Sequence, residues 1–368
     1  MTLSKVDLAN QVENQLPQGL VANNLPYRNI TINGDMSIAQ RGTSVSGITS
    51  TGYYTVDRWS FVNTFATYTM SQSTDVPTGQ GFATSLKLDC TTANASPAAG
   101  DNLRIRQNFE GQMLQYLKKG TANAESLTLS FWVKSTKTGT FIAELRDDSN
   151  ARQIAKSYTI DASNTWEKKT ITFPGDTTGA FTNNNAQALS MQFWLGAGTN
   201  FTSGTLATSW QSIVNANRAV GQVNIADSTS NDWFVTGVQL EAGTTASDFE
   251  FLPYDVNLDR CYRYYQVIVE GTEQYFLDGH YYSSSNVRGT IEFFSPMRAS
   301  PSLDATSGTD YYKIYRNNGT DFFNSFTGAN NSKMSLLYNA SEASGTAGQT
   351  GTFSTNNVDS YVAFDAEL

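Results

Sequence analysis

Residues 127–135 read LTLSFWVKS. Leu127, Leu129, Phe131 and Val133 alternate with Thr128, Ser130, Trp132 and Lys134, the period of two that marks a strand buried on one face. One face is wholly apolar. The other mixes short polar side chains with Trp132, which is either covered by a loop or second sheet or offered to a ligand. The same period recurs on both sides: SLKLDCTT (85–92), NLRIRQNFE (102–110), TFIAELRD (140–147), ALSMQFWLG (188–196) and NDWFVTGVQLEAG (231–243). Turn clusters of Gly, Asn, Asp, Ser and Thr separate these runs. About ten short strands spaced this way predict a two-sheet antiparallel sandwich or jelly roll.

Further out, RNITINGDMSIAQRG (28–42) also alternates, with Asn33-Gly34 as the turn that needs φ > 0. GQMLQYLKKG (111–120) reads as a short helix closed by Gly120. After FEFLPYDVNLDRCYRYYQ (249–266), where one or two helical turns are expected, strands resume through EQYFLDGHYYSS, VRGTIEFFSP, DYYKIYRN, KMSLLYNAS and YVAFDAEL. The expected organisation is an N-terminal anchoring or oligomerisation segment with a short helix (1–26), a jelly-roll domain (27–250), a linker (251–266) and a smaller C-terminal β-sandwich (267–368). The class is all-β.

Composition narrows the function. The 368 residues carry 24 Lys+Arg against 33 Asp+Glu, a net charge of −9, with charged residues at 15% and aromatics at 12%. An acidic balance argues against nucleic acid as a partner. No apolar run is long enough for a membrane-inserting helix. One His and two Cys exclude a Cys/His zinc site. Cys90 and Cys261 are expected as unpaired, partly buried thiols.

The motif charges have structural readings. Asp57 and Arg58 can pair beneath Trp59, while Glu241 and Glu250 can be neutralised by Arg58 or Arg260. No pattern singles out a carboxylate pair of the glycosidase kind among Glu110, Glu144, Asp147, Asp148, Glu241 and Glu250. No cofactor is expected. Scattered oxygen donors leave room for a structural Ca²⁺, but no motif supports one. Trp210, in the polar loop FTSGTLATSWQS, and the pair Tyr281-Tyr282 beside His280 are the candidate glycan contacts, set against core or subunit contact.

In order, RNITINGDMSIAQRGTS, YTVDRWSF, FEGQMLQYL, LTLSFWVKS, WFVTGVQLEAG and FEFLPYDVNLDRCYRYYQ resemble a family of bacteriophage virion proteins of the tail-fibre or tail-associated type, found in marine and cyanobacterial phages. The resemblance spans residues 27–266, and MRASPSLDATSGT and VAFDAEL are similar to that family's C-terminal domain. It implies a carbohydrate-binding-module-like jelly roll, no catalytic residue and no known ligand. The expected protein is a non-enzymatic structural component of the virion, made in the host cytoplasm. A homotrimer held to other virion proteins through residues 1–26 is expected, with host-surface glycan as a further partner. The alternatives are a dedicated receptor-binding protein, a polysaccharide depolymerase and a capsid decoration or knob protein.

Overall fold

In the computed structural model of the protein, which describes residues 27–317 and 319–368, the alternating segment 127–135 is a strand as predicted. The chain divides into two units. The first takes residues up to Ser37 together with Thr43–Leu252, and the second takes Ile38–Gly42 together with Pro253–Leu368.

Among its described residues the first unit has thirteen strands: β1 (Ser44–Ile48), β2 (Gly52–Tyr53), β3 (Ser60–Asn63), β4 (Thr67–Ser73), β5 (Ser85–Thr92), β6 (Asn102–Glu110), β7 (Leu127–Ser135), β8 (Gly139–Asp147), β9 (Arg152–Ile160), β10 (Glu167–Phe173), β11 (Gln187–Ala197), β12 (Gln211–Ser212) and β13 (Asp232–Ala242). They form an antiparallel sandwich. One sheet has the order β1-β4-β5-β13-β7-β10, the other β12-β9-β8-β11-β6-β3-β2. Between them the inward residues of β7 and β11 meet. Phe131 packs edge-on against Phe193 at 4.8 Å and against Tyr158 at 5.1 Å. Both Phe131 and Phe193 are fully buried. Burying one such ring contributes about 1.5–3 kcal/mol, so this aromatic seam is a large part of what holds the sheets together.

The segment 28–42 corrects the sequence reading: it contains no regular strand. Its backbone is satisfied mostly by side chains. Gln107 on β6 accepts from Ile32 N at 2.7 Å and donates to Ile32 O at 2.8 Å. The Asn29 amide oxygen accepts from Leu240 N, and its amide nitrogen donates to Val238 O. Positive φ falls on Asn33 (57°), not on Gly34. Gly34 is required for another reason: a Cβ there would stand 2.1 Å from the Val238 carbonyl oxygen.

At Gly111–Leu117 the expected helix is a 3₁₀ helix, and it ends on Lys118 in the left-handed conformation rather than on Gly120.

The second unit has a three-stranded sheet, Tyr265–Glu270, Tyr361–Asp365 and Ser302–Ala305, with Tyr361–Asp365 in the middle. It also has a seven-stranded antiparallel sheet in which Tyr275–Ser283 lies between Thr350–Thr355 and Asn286–Glu292. Its core gathers Tyr281, Tyr312, Phe323, Phe326, Phe353 and Phe364. The boundary differs from the expected linker at 251–266: residues from Pro253 belong to this unit, as the helix Tyr254–Tyr262 followed directly by a strand. Ile38–Gly42 also belongs here, because Gln40 bonds the Tyr265 carbonyl at 2.9 Å and the Arg41 guanidinium lies 3.4 Å from the Tyr265 ring centroid. The expected helix within 1–26 lies outside the described residues.

Candidate functional site

The outward face of β7 carries Thr128, Ser130, Trp132 and Lys134, and the neighbouring strand β13 shapes what lies above it. Thr236 pairs with Trp132 and Gln239 with Ser130, so three steps on β13 face two on β7. The extra residue makes a β-bulge, and Gly237 sits in it with φ 60°. A Cβ at Gly237 would reach within 2.5 Å of the Phe82 ring. The bulge and the missing side chain therefore let Phe82 lie down beside Trp132.

Phe82, Phe249 and Phe251 pack on one another, with centroid separations of 5.1, 5.1 and 4.8 Å. Together with Trp132, Ser130 and Gly237 they line an open cleft of about 340 Å³, with Lys168 and Asp248 among its other lining residues. Phe82 is buried, Trp132 is partly exposed, and Phe251 is 50% exposed. The neighbouring outward residues on this sheet are tied up. Lys134 pairs with Asp75 and lies 4.3 Å from the Phe234 ring centroid. Trp166 Nε1 donates to Asp75 at 2.9 Å. An apolar wall edged by a cation, an anion and a hydroxyl is the chemistry that a sugar ring meets well. The ring's C–H face packs on the aromatics and its hydroxyls bond the rim.

The residues singled out from sequence do not converge on this cleft, Trp132 apart. Trp210 packs against the core of the first unit and donates through Nε1 to the Pro174 carbonyl at 2.7 Å. Tyr281 is fully buried in the second unit, its hydroxyl donating to Asp321 at 2.8 Å. Tyr282 points the other way, 61% exposed, with the Arg288 guanidinium 3.4 Å from its ring centroid. Asp278 and His280, on the same side of that strand as Tyr282, line a shallow polar groove with Thr350 and Thr352.

The motif residues make contacts within the fold. Trp59 is fully buried and donates to the Asn33 carbonyl, while Asn33 donates to the Asp57 carbonyl. Buried Arg58 donates to the Asn108 carbonyl at 2.7 Å. Glu241 has Arg28 as a cation, at 3.7 Å, and it accepts from Ser247. Glu250 accepts from Asn29 N at 2.9 Å. Arg260 lies in the Tyr254–Tyr262 helix of the second unit.

The carboxylates weighed for hydrolysis are each engaged. Glu110 accepts from Gln112, Glu144 from Arg218, Asp147 from Asn150 and Asp148 from Ser190. Among the described residues, no three His, Cys, Asp or Glu side chains group as a metal site, and no helix is long and apolar enough to cross a membrane. No disulfide joins Cys90 and Cys261, and both are buried, more fully than the partial burial expected.

No protein-family model matches the sequence, and no curated protein matches it. Among solved structures the chain is similar to the enzymatically active domain of tailspike protein 4 of bacteriophage CBA120, at 16% identity and a TM-score of 0.32. That match covers 59% of this chain and 22% of the tailspike chain. It is also similar to the family 11 carbohydrate-binding module of the cellulase Lic26A-Cel5E of Clostridium thermocellum (12% identity, TM-score 0.27, 57% of this chain and 99% of that one). A third is the CBM22-1–GH10 pair of xylanase 10B from the same bacterium, complexed with xylohexaose (11% identity, TM-score 0.28, 60% and 32%). The functional reading rests on the cleft itself.

Proposed function

We propose that the chain is a non-enzymatic structural protein of a bacteriophage virion, a tail fibre or surface appendage, whose first unit contacts host-surface glycan through the Trp132 cleft. The observation that carries the glycan contact is the aromatic wall of Phe82, Phe249 and Phe251 standing beside Trp132, open to solvent and edged by Lys168 and Asp248. Support for the virion setting comes from the ordered motifs between 27 and 266. Among the described residues lining the cleft Asp248 is the one carboxylate, where a glycosidase needs two flanking the bond it cuts. Assembly as a homotrimer, attached to other virion proteins through residues 1–26, belongs to the same proposal.

Adsorption tests it. Purified protein should bind host cells, free host polysaccharide should compete, and no reducing sugar should be released. Protein that ignores host cells and binds only other virion components would remove the glycan part. Release of reducing ends would replace it with a depolymerase.

A further inference from the structure

A second cluster lies on the outward face of the other sheet of the first unit, and neither the core nor the Trp132 cleft uses it. Along β6, Arg104 and Arg106 alternate with the inward Leu103 and Ile105. Strand register sets Arg104 beside Trp194 and Arg106 beside Gln192 on β11. On the far side of Gln192 stands Glu144 of β8. Glu144 is satisfied: Arg218 reaches both its oxygens, at 2.8 and 3.0 Å, and Trp194 Nε1 donates at 2.8 Å. Arg146 has Asp148 at 3.1 Å.

Three neighbours are left over. Arg104, 8% exposed, lies 4.8 Å from the Trp194 ring centroid, and its Nε and Nη1 find no hydrogen-bond partner among the described residues. Arg106 Nε is likewise buried without an acceptor. Gln192 is fully buried with neither its Nε2 nor its Oε1 bonded. Burial, reinforced by the nearby Arg218, pushes the Arg104 guanidinium down to about 9. Nearly all buried polar groups in folded proteins are paired, and a buried guanidinium nitrogen without an acceptor is a costly exception, even with the Glu144 charge nearby. Three such groups on adjacent strands, in a chain of net charge −9, point to a partner that is not part of the chain.

The partner's chemistry follows from what each group lacks. Two guanidiniums want an anionic acceptor. Gln192 wants an acceptor for Nε2 and a donor for Oε1. A neutral sugar leaves the guanidiniums uncompensated. Sulfate brings no donor for Gln192. A carboxylate with a hydroxyl two carbons away, as the C4 hydroxyl stands to the C6 carboxylate of a hexuronate, meets all of these demands. Arg106 and Arg146, both partly exposed, mark the side from which it would enter.

We propose that this face binds a carboxylated sugar residue, a hexuronate, with its carboxylate on Arg104 and Arg106 and a neighbouring hydroxyl on Gln192. The site is distinct from the Trp132 cleft, and its failure would leave that cleft's reading intact.

The test is calorimetric titration of the full chain with trigalacturonate, maltotriose and sodium sulfate. Trigalacturonate should bind, maltotriose should not, and Arg106→Gln should weaken binding by about tenfold or more. Gln192→Leu should also weaken binding, while leaving the thermal midpoint of the free protein unchanged or raised, since it removes an unpaired amide. Arg106 is partly exposed, so its variant should fold where an Arg104 variant fails. Sulfate binding as tightly as trigalacturonate would overturn the sugar assignment. No anion binding, with Gln192→Leu lowering the midpoint, would overturn the proposal in favour of a hydrated structural network.

Discussion

Gly237 and Phe82 are fitted to each other: a Cβ on the glycine would stand 2.5 Å from the phenyl ring. The glycine also has φ 60°, at the one-residue bulge between Thr236 and Gln239. Gly237→Ala therefore suffers twice, from the left-handed backbone and from the displaced ring. We expect a loss of about 1–3 kcal/mol in chemical denaturation. Glycan binding at the cleft should fall with it. An unchanged midpoint would mean that Phe82 moves aside freely and does not shape the cleft.

The Arg218–Glu144 pair is bidentate and buried at both ends. Removing one partner strands a charge in the protein interior. Arg218→Met should cost about 3–5 kcal/mol, and Arg218→Met combined with Glu144→Met should recover much of that loss. A double-mutant cycle in urea measures both. Simple additivity of the two single losses would contradict the pairing.

Acid should destabilise the first unit below the ordinary carboxylate range. Burial alone would raise the Asp176 pKa, but hydrogen bonds from Arg152 and Lys119 outweigh it and hold the carboxyl below its usual 3.8. Asp75 is held down in the same way by Lys134 and Trp166 against its own burial. A depressed folded-state pKa contributes stability that is present above the unfolded value and lost as pH falls through the folded one. Asp232 has the opposite sign. Burial and a hydrogen bond with Asp89 raise it, so its contribution is present at low pH and lost as pH rises through its folded value. Thermal midpoints across pH 2–7 should therefore fall at the acid end in the parent and fall less in Asp176→Asn. Asp232→Asn should be as stable as the parent, or more so, at pH 7. A marked loss there would show that Asp232 acts through its ion pair with Lys87, 3.3 Å away, and not against Asp89.

Both thiols should be silent in the folded protein. Cys90 and Cys261 are buried, and burial also pushes the Cys90 thiol above its ordinary value, which reduces the reactive thiolate. A colourimetric thiol reagent should find two groups in denaturant and react only slowly without it. Rapid native labelling of Cys90 would indicate local opening of the β4–β5 edge.

What could be read in the sequence was what repeats locally. The alternation at 127–135 placed Phe131 inward and Trp132 outward, and both are so. The same period misled at 28–42, where Asn29 and Gln107 side chains replace a ladder partner, something periodicity cannot distinguish. Tyr281-Tyr282 carried its own answer. Adjacent residues of a strand point to opposite faces, so one ring of the pair is core and the other is exposed. The aromatic wall was hidden because Phe82, Phe249 and Phe251 come from distant segments and meet only once Gly237 bulges. Glu144 looked like a loose acid until the fold brought Arg218 and Trp194 to it.

The most direct test of the account is adsorption of the Trp132→Ala protein to host cells, measured beside the parent and beside Tyr282→Ala. Trp132 lies on the outward face of its strand, so the variant should fold. The account predicts that Trp132→Ala loses most of the adsorption that free host polysaccharide can compete away, while Tyr282→Ala retains it. Equal adsorption by Trp132→Ala and the parent would contradict it.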